Sequence, residues 1–455
     1  MTMTRMLARY VLALDARPLE GARLEAAKRF FADVCACMLA GASQPGMEAA
    51  LRYARRYGGP AECSVPGRPG ERTDAATAAM LGGVAAHICD YDDMSVTMNG
   101  HPSAVTAPVA LALGEKLNAS GRRVLAAYAA GVEVDSILGK LCGPAGLDPR
   151  WNPTSLLGVF GATAAAGLLL GLDERTLADA FGIAAGEAGG AKANYGTPAK
   201  DLTVGHAAAK GVFAAETAAC GFSANPEALE GENGLLRIVA PGADCAALER
   251  VIAEHRSDFL EPGLVMKPYP SCRGNHNGID CILRLLAEEP IERERIQKIV
   301  CRLQDTAYRM DLYPVPETPA QGKFSLGYCI GKVLEHGGVC MADFTGERIA
   351  DPAAMAWLEK VELEPDGRFT PENAVFGAEV EVRLDDGRAY SRRGSYAKGD
   401  PRNPMSGAEA AQKLRQCVPE HWTDDRRDAL SRTLGRLESL DSIRTLTGLL
   451  SGSPD

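Results

Sequence analysis

Residues 151–172 read WNPTSLLGVFGATAAAGLLLGL, a stretch in which no side chain carries a charge. Its last 18 residues, 155–172, reach the lower limit of length for a helix that crosses a bilayer. Four glycines interrupt the stretch, however, and neither a basic cluster nor an aromatic belt follows it. We therefore predict a buried helix whose small residues let neighbouring helices approach closely, and no association with a membrane.

Helical patterns surround this stretch from about residue 18 to residue 260. Apolar residues recur there at helical spacing, between breaks that contain Gly, Pro, Asp, Asn or Ser. Ser120 and Asp173 are predicted N-caps, because their side-chain oxygens can accept hydrogen bonds from the first turn of a helix. The predicted helices span 23–40, 47–57, 75–89, 104–117, 121–141 and 202–219.

The sequence pattern changes between about residues 262 and 394. Residues 297–303 and 378–384 alternate as half-buried strands do, and Asp385-Asp386-Gly387 supplies a hairpin turn before residues 388–393. Further helices are predicted at 278–288, 323–335, 352–359, 408–414 and 426–450. This mixture indicates a smaller α+β domain with an antiparallel sheet, after which the chain returns to the helical domain.

The composition excludes several classes of protein. The chain has 455 residues, and 49 basic against 59 acidic side chains give a net charge of −10, whereas nucleic-acid binding requires a basic surface. The 13 cysteines are odd in number and scattered, so we predict free thiols in a reducing cytoplasm. The sequence contains neither paired CxxC motifs nor GxGxxG or GxxxxGK[ST] loops. We therefore expect no metal and no nucleotide cofactor.

Acidic residues and a histidine are concentrated around one predicted interhelical loop. Cys89-Asp90-Tyr91-Asp92-Asp93 ends one helix, and Gly100-His101-Pro102-Ser103 begins the next. A histidine beside carboxylates can act as a general base, because a carboxylate fixes the tautomer of the ring. The structural alternative is that the aspartates cap a helix or form ion pairs.

A second concentration of reactive side chains lies at residues 266–276, MKPYPSCRGNH. Lys267 can bind a carboxylate as a point charge, and Arg273 can bind one with two parallel hydrogen bonds. The structural alternative is a solvated hinge. The position at a predicted domain junction favours a binding site, because small-molecule sites often form between domains.

Together these two segments resemble the MmgE/PrpD family, which includes 2-methylcitrate dehydratase, cis-aconitate decarboxylase and iminodisuccinate epimerase. The resemblance covers nearly the whole chain. It rests on motifs in a constant order: DYDD at 90–93, HPSA at 101–104, GVFGATAAA at 158–166, AKDL at 199–202, LEGENG at 229–234, KPYPSC at 267–272 and FSLGY at 324–328.

The resemblance implies a mainly α fold, with a large all-helical domain of residues 1–262 and 400–455 and an inserted α+β lid domain of residues 263–399. It also implies a homodimer, a small polycarboxylate substrate, an active site between the domains, and no metal or organic cofactor. The expected catalytic residues are His101, Asp90, Lys200 and Tyr328. The expected substrate-binding residues are Lys267, Asn152, Cys272, Arg273 and His276.

Three positions differ from the family pattern. Asn152 stands where the dehydratases and decarboxylases have a histidine, and it cannot carry a proton at neutral pH. Cys272 replaces a second histidine of the decarboxylase pattern, although His276 is retained nearby, and Met94 replaces a threonine. These differences argue against cis-aconitate decarboxylation and also weaken the assignment to 2-methylcitrate. A different polycarboxylate substrate, or an epimerisation that removes and returns one α-proton, fits them as well.

Three functions therefore stay open. We favour a cytoplasmic, cofactor-free dehydratase of the 2-methylcitrate dehydratase type, in which His101, assisted by Asp90, moves the proton and Tyr328 is the partner acid. Lys200 and Lys267 are expected to approach one cleft from opposite sides and neutralise substrate carboxylates. The alternatives are an epimerase of an iminodisuccinate-like dicarboxylate and a homologue that binds without catalysis.

Overall fold

The computed structural model describes residues 1–143, 146–261, 263–370 and 374–452. The described chain is mainly helical, as predicted, and contains one four-stranded sheet. The first helices are α1 Met3–Asp15, α2 Gly21–Gly41, α3 Pro45–Tyr57, α4 Ala75–His87, α5 Pro102–Lys116, α6 Gly121–Cys142, α7 Pro153–Leu170, α8 Glu174–Glu187, α9 Pro198–Ala219, α10 Leu235–Val239 and α11 Leu248–Glu254. All six helices predicted in this part are present, together with the predicted buried helix α7. Helices α1, α10 and α11 were not predicted, and α8 was predicted only through its N-cap, Asp173.

The predicted N-caps are confirmed. The Ser120 side chain accepts a hydrogen bond from the Arg123 N–H, and the Asp173 side chain accepts one from the Thr176 N–H. These bonds satisfy N–H groups that have no partner within the first turn of a helix.

The uncharged stretch forms α7, at the centre of the helical part. By length and composition α7 is the one helix among the described residues that could cross a membrane, and 89% of its apolar window is buried inside the protein. Glycines bring its neighbours close: a Cβ on Gly211 of α9 would lie 2.2 Å from the Ala162 Cβ. A Cβ on Gly161 would lie 2.4 Å from a carboxylate oxygen of Asp135 in α6. The burial agrees with the predicted packed helix.

Two short ladders interrupt the helical part, which is therefore not purely helical. Strand β1, Cys63–Ser64, pairs with β2, Arg72–Thr73. Strand β3, Met94–Ser95, pairs antiparallel with β4, Leu264–Val265. The second ladder joins the loop that precedes His101 to the segment that precedes Lys267. It therefore brings together the two segments predicted to carry the site, residues 89–103 and 266–276.

The inserted part combines helices with a mixed sheet. Its elements are α12 Arg273–Glu288, β5 Ile296–Leu303, α13 Asp305–Met310, α14 Pro319–Gly322, α15 Leu326–His336, α16 Gly346–Ile349, α17 Pro352–Leu358, β6 Val361–Pro365, β7 Ala378–Leu384 and β8 Ala389–Gly394. The strand order is β6-β5-β7-β8, with β5 and β6 parallel. The three predicted strands pair antiparallel, as β5 with β7 and β7 with β8. The sheet as a whole is mixed rather than antiparallel, because β6, which was not predicted, pairs parallel with β5; the helices between β5 and β6 provide the long connection that parallel pairing needs.

The C-terminal helices are α18 Gly407–Cys417, α19 Asp424–Gly435 and α20 Arg444–Ser451. The single helix predicted at 426–450 is therefore interrupted between residues 436 and 443. Cys417, Leu430 and Leu450 join the same hydrophobic core as the N-terminal helices, as the return of the chain predicted.

The buried apolar residues form two cores. The first contains side chains of α1–α9 and of the C-terminal helices, and the second contains the sheet with α12 and α15. Met94 and Val265 belong to the second core, whereas Leu264 and Met266 belong to the first, so the β3–β4 ladder lies where the cores meet. The domain boundaries stay a prediction that these cores support; Pro262, at one boundary, lies outside the described residues.

Candidate active site

Asp90 occupies a strained turn directly after α4. Its N–H donates to the His87 carbonyl oxygen at 2.8 Å, and its φ of 52° is left-handed. For a residue with a Cβ this conformation costs about 1–2 kcal/mol. Strain of this kind concentrates at functional sites, where the surrounding structure holds it in place.

Two lysines from different parts of the chain meet at the Asp90 side chain. The Lys200 ammonium group, on α9, donates to Asp90 Oδ1 at 3.0 Å, and the Lys267 Nζ lies 3.4 Å from Oδ2. Lys267 also donates to the Asp90 carbonyl oxygen at 2.9 Å. Burial acts to raise the pKa of Asp90, but Lys200 and Lys267 hold it well below its usual range. These three side chains carry a net charge of +1. Asp201, whose Oδ1 lies 3.9 Å from the Lys200 Nζ, offsets this charge less than an exposed carboxylate would, because burial raises its pKa.

Aromatic rings surround the Lys200 ammonium group. Its Nζ lies 5.6 Å from the ring centre of Tyr195 and 5.4 Å from that of Phe324. Such contacts stabilise a cation and exclude water from it. Burial acts to lower the pKa of Lys200, yet Asp90 and Asp201 raise it, so the side chain is an electrostatic group rather than a proton donor at neutral pH.

His101 is oriented by its neighbours in the acidic loop. Its Nδ1 lies 2.8 Å from the Asp93 carbonyl oxygen and 3.2 Å from Asp92 Oδ2. A carbonyl oxygen only accepts hydrogen bonds, so Nδ1 carries the proton and Nε2 has a free lone pair. No described residue bonds to Nε2, and the side chain is 16% exposed. His101 therefore has the geometry of a general base.

Asp92, not Asp90, is the carboxylate that orients His101. The sequence predicted Asp90 for this role, but Asp90 bonds to the two lysines. Asp92 Oδ2 also lies 2.8 Å from Nδ1 of His87, a buried residue inside α4 that no sequence motif indicates. Burial acts to raise the pKa of Asp92, while His87 and His101 hold it well below its usual range.

His87, Asp92 and His101 also offer three atoms of the types that bind metals, all within 4.8 Å of one another. The contacts fit hydrogen bonds better than metal ligation. Nδ1 of His101 carries the proton that the Asp93 carbonyl accepts, and a protonated nitrogen has no lone pair for a metal. The absence of a metal stays a prediction.

The two positions at which this chain lacks a histidine of the family pattern, Asn152 and Cys272, present neutral groups. Asn152 caps α7, where its Oδ1 accepts from the Thr154 N–H at 3.1 Å and from the Tyr195 hydroxyl at 3.3 Å. Burial raises the pKa of the Cys272 thiol to about 12, and Asp90, Lys267 and Lys200 act on it electrostatically. Neither side chain exchanges protons at neutral pH.

Arg273 and His276 are held by bonds within the inserted part. The Arg273 guanidinium donates to the Lys398 carbonyl at 2.9 Å and lies 3.2 Å from His276 Nδ1, and burial lowers its pKa to about 10. Nε2 of His276 donates to the Ser271 carbonyl at 3.1 Å. Both ring nitrogens of His276 are engaged, so these contacts support the turn at residues 271–276 and leave its imidazole no free nitrogen for substrate.

Tyr328 does not join the group around Asp90 and His101. Its hydroxyl donates to the Asp343 carbonyl oxygen at 2.5 Å, and its ring lies in the second core. The ionisable groups that act on it include Asp343 and Glu335 but neither Asp90 nor His101. The predicted role of partner acid therefore has no geometric support.

Two further lysines support the acidic loop from behind and were not selected from the sequence. Lys323 donates to the Ile88 carbonyl at 2.5 Å, and Lys413 of α18 donates to the Tyr91 carbonyl at 2.8 Å. Lys323 directly precedes the FSLGY motif, and this position could have identified it as a residue of the site. Lys413 lies in an ordinary amphipathic helix, and no local pattern distinguishes it.

The amino-acid sequence matches the MmgE/PrpD N-terminal domain over residues 5–247 and the MmgE/PrpD C-terminal domain over residues 269–436. It is 29% identical over 439 residues to the cis-aconitate decarboxylase of Homo sapiens, covering 94% of this chain and 90% of the relative. It is 27% identical over 464 residues to that of Mus musculus, covering 99% and 94%. For the cis-aconitate decarboxylase of Aspergillus terreus the identity is 24% over 450 residues, covering 94% and 91%. The similarity extends over nearly the full length of both partners.

Proposed function

Because this chain belongs to the MmgE/PrpD family, we propose that it is a cofactor-independent lyase that moves a proton at a carbon beside a carboxylate of a small di- or tricarboxylic acid. One observation carries the proposal: His101 has a free Nε2, and Asp93 and Asp92, which fix its tautomer, lie in the same short segment as Asp90, whose carboxylate pairs with Lys200 and Lys267.

The proposed first step is proton abstraction. The net positive charge of Lys200, Lys267 and Asp90 attracts the substrate carboxylate, and Nε2 of His101 takes the proton from the neighbouring carbon. The imidazolium that forms is stabilised by Asp92, and the negative charge that develops on the substrate is stabilised by the lysines. A positioned base of this kind contributes about 10²–10⁴-fold to the rate.

For the second step we favour dehydration with one acid–base residue. The substrate C–O bond breaks, and the His101 imidazolium returns the proton to the departing hydroxyl group, so that water leaves and a conjugated acid remains. This scheme needs no second proton donor, which suits the neutral Asn152 and Cys272 and the engaged hydroxyl of Tyr328.

Decarboxylation is the second candidate, and the names of the relatives favour it. In that reaction a C–C bond breaks, carbon dioxide leaves, and the same imidazolium would place its proton on the remaining carbon. Epimerisation is less well supported, because inversion of a stereocentre requires proton transfer on both faces of the substrate.

One experiment distinguishes these reactions. The purified protein is incubated in deuterated buffer with citrate, 2-methylcitrate or cis-aconitate, and ultraviolet absorbance, carbon dioxide and deuterium incorporation are measured. Dehydration predicts new absorbance from a hydroxy acid, and decarboxylation predicts carbon dioxide from cis-aconitate. Whichever product signal the wild type gives should be lost in His101→Gln and kept in His206→Gln, because His206 is exposed on α9. No product and no deuterium exchange with any acid would overturn the proposal.

A further inference from the structure

Lys192 is fixed beside Asn152 by a short antiparallel pairing. It begins a 3-10 turn, Lys192–Asn194, between α8 and α9. The Lys192 N–H donates to the Arg150 carbonyl at 2.8 Å, and the Asn152 N–H donates to the Gly190 carbonyl at 2.8 Å. The backbone of Lys192 is therefore anchored to the residues that precede α7.

The anchor depends on a close approach that only glycine allows. Gly190 has a φ of 117°, and a Cβ at this position would lie 2.0 Å from the Ser155 hydroxyl oxygen. On the other side of the turn, the Tyr195 N–H donates to the Lys192 carbonyl at 2.9 Å, and the Tyr195 hydroxyl reaches Asn152. The turn is thus held against the wall of the candidate site at both ends.

The Lys192 side chain is partly buried and has no counter-ion. Within the described residues its ammonium group makes no hydrogen bond and no ion pair. Burial lowers the pKa of Lys192, because removing the ammonium cation from water costs free energy. An anionic ligand would offset this cost.

Tyr195 connects Lys192 to the candidate active site. Its N–H donates to the Lys192 carbonyl at 2.9 Å, its hydroxyl donates to Asn152 Oδ1 at 3.3 Å, and its ring centre lies 5.6 Å from the Lys200 Nζ. The two lysines at Asp90 already share a carboxylate, whereas Lys192 shares none. A ligand carboxylate can therefore pair with the Lys192 ammonium group without breaking an ion pair within the protein.

We propose that Lys192 binds a substrate carboxylate remote from the reacting carbon, and that it selects tricarboxylic over dicarboxylic acids. The inference rests on the proposed function, since it specifies how many carboxylates the substrate of the proposed lyase carries. A partly exposed charge-assisted hydrogen bond corresponds to about tenfold in affinity, at the lower end of such contacts.

The test measures binding without turnover. Titration calorimetry compares tricarballylate with methylsuccinate, which is the same acid with one terminal carboxylate replaced by hydrogen. Wild-type protein should bind tricarballylate about tenfold more tightly. Lys192→Met should lose about that factor for tricarballylate and change little for methylsuccinate. Lys192→Arg, which retains the charge, should restore most of the affinity.

The matched control is Lys210→Met, which removes a partly buried ammonium group of α9 that donates to the Glu187 carbonyl. It should bind both acids as wild type does, and thermal unfolding verifies that all variants fold. Unchanged tricarballylate affinity in Lys192→Met would overturn the inference and leave the proposed function intact. An equal loss for both acids would overturn the selectivity. Wild-type protein that binds neither acid would contradict the inference and the proposed function together.

Discussion

A single oxygen atom, Oδ2 of Asp92, lies 2.8 Å from Nδ1 of His87 and 3.2 Å from Nδ1 of His101. Burial lowers the pKa of His87, so this ring stays neutral, while the pKa of Asp92 is held low and its carboxylate stays ionised. When His101 takes a proton, the new cation therefore forms beside an existing anion. No rearrangement is needed at the moment of reaction, which is the advantage of a preorganised site.

His101→Gln should lower kcat by about 10²–10⁴-fold, because glutamine retains hydrogen bonding but cannot accept the substrate proton. Thermal stability should change little, since the ring is partly exposed at the site. Steady-state kinetics and thermal unfolding, with His206→Gln as the control, test this prediction. A near-normal kcat, or a loss of activity that only follows loss of folding, would contradict it.

Asp90→Asn should cost about 3–5 kcal/mol of unfolding free energy at neutral pH, because it leaves two buried ammonium groups without their anion. Asparagine tolerates the left-handed backbone, so the change isolates the charge. Asp148→Asn, at the surface ion pair with Arg150, is the control and should change the stability much less, because solvent screens this pair. Denaturant unfolding measures both values.

The pH dependence of this difference has a definite sign. The folded-state pKa of Asp90 is depressed, so its contribution is present above the unfolded value of about 3.9 and is lost as the pH falls through the folded-state pKa. The difference between wild type and Asp90→Asn should therefore be constant from about pH 5 to pH 8 and shrink only in stronger acid. A difference that shrinks near neutrality would exclude the assignment.

Among the structural elements, the loop between β3 and α5 determines where His101 lies. The Ser95 and Thr97 hydroxyls both donate to the buried Asp258 carboxylate, at 2.7 and 2.8 Å. The Asp258 N–H in turn donates to Glu133 of α6 at 3.0 Å. The loop is thus tied to the helical part through one carboxylate.

Asp258→Asn should lower kcat by up to about 10²-fold, because an amide cannot accept both hydroxyl protons and a small displacement of the base misaligns the reaction. The KM should change less, since the lysines at Asp90 belong to other elements. Thr97→Val, which removes one of the two bonds, should have a smaller effect. Equal kcat values in wild type and Asp258→Asn would show that the loop does not depend on this anchor.

Local sequence patterns identify the segments of the site but not every contact between them. Periodicity and capping residues predict most helices, and the motifs at 90–93, 101–104 and 267–272 predict the meeting of carboxylates, histidine and lysine. Spacing within a turn does not specify which aspartate faces His101, and Asp92 makes that contact. The parallel strand β6 was missed because its pairing with β5 is a long-range property of the chain.

Local sequence fails to indicate Lys192 as a residue of the site and wrongly indicates Tyr328. Lys192 lies in a glycine- and alanine-rich segment that looks like an ordinary loop, and only the pairing with residues 150–152 brings it to the site. Tyr328 lies in a motif of the family, yet the Asp343 carbonyl engages its hydroxyl. Neither contact is encoded by neighbouring residues.

At the level of the whole molecule, the C-terminal helices complete the site. Lys413 of α18 forms a buried ion pair with Asp33 of α2 at 2.6 Å and donates to the Tyr91 carbonyl. Burial acts to lower the pKa of Lys413, but Asp33 raises it, so the cation persists. One side chain therefore joins the end of the chain, the second helix and the acidic loop.

Lys413→Met should destabilise the protein by about 3–5 kcal/mol, because Asp33 is left buried without a partner. Activity should also fall, since the acidic loop loses a donor at Tyr91. The double variant Asp33→Asn with Lys413→Met should recover part of the stability but not the activity. If denaturant unfolding shows no recovery, packing of the lysine chain matters more than its charge.

The predicted homodimer is a further property of the whole molecule. It follows from the family and from helix faces rich in alanine, which suit close contact between subunits. Sedimentation at micromolar concentration should show a particle of about twice 48.1 kDa. A monomer under these conditions would contradict the prediction.

The bond between Lys413 and Asp33 also sets an order of events during synthesis. Asp33 leaves the ribosome about 380 residues before its partner, a delay of about 20–80 s at ordinary elongation rates. A nascent chain can already contain Asp90, His101, Lys200 and Lys267 while Asp33 and the Tyr91 carbonyl still lack their cation. Catalytic competence should therefore arise only when the last tenth of the chain has emerged, and a ribosome stalled before α18 would hold an inactive product.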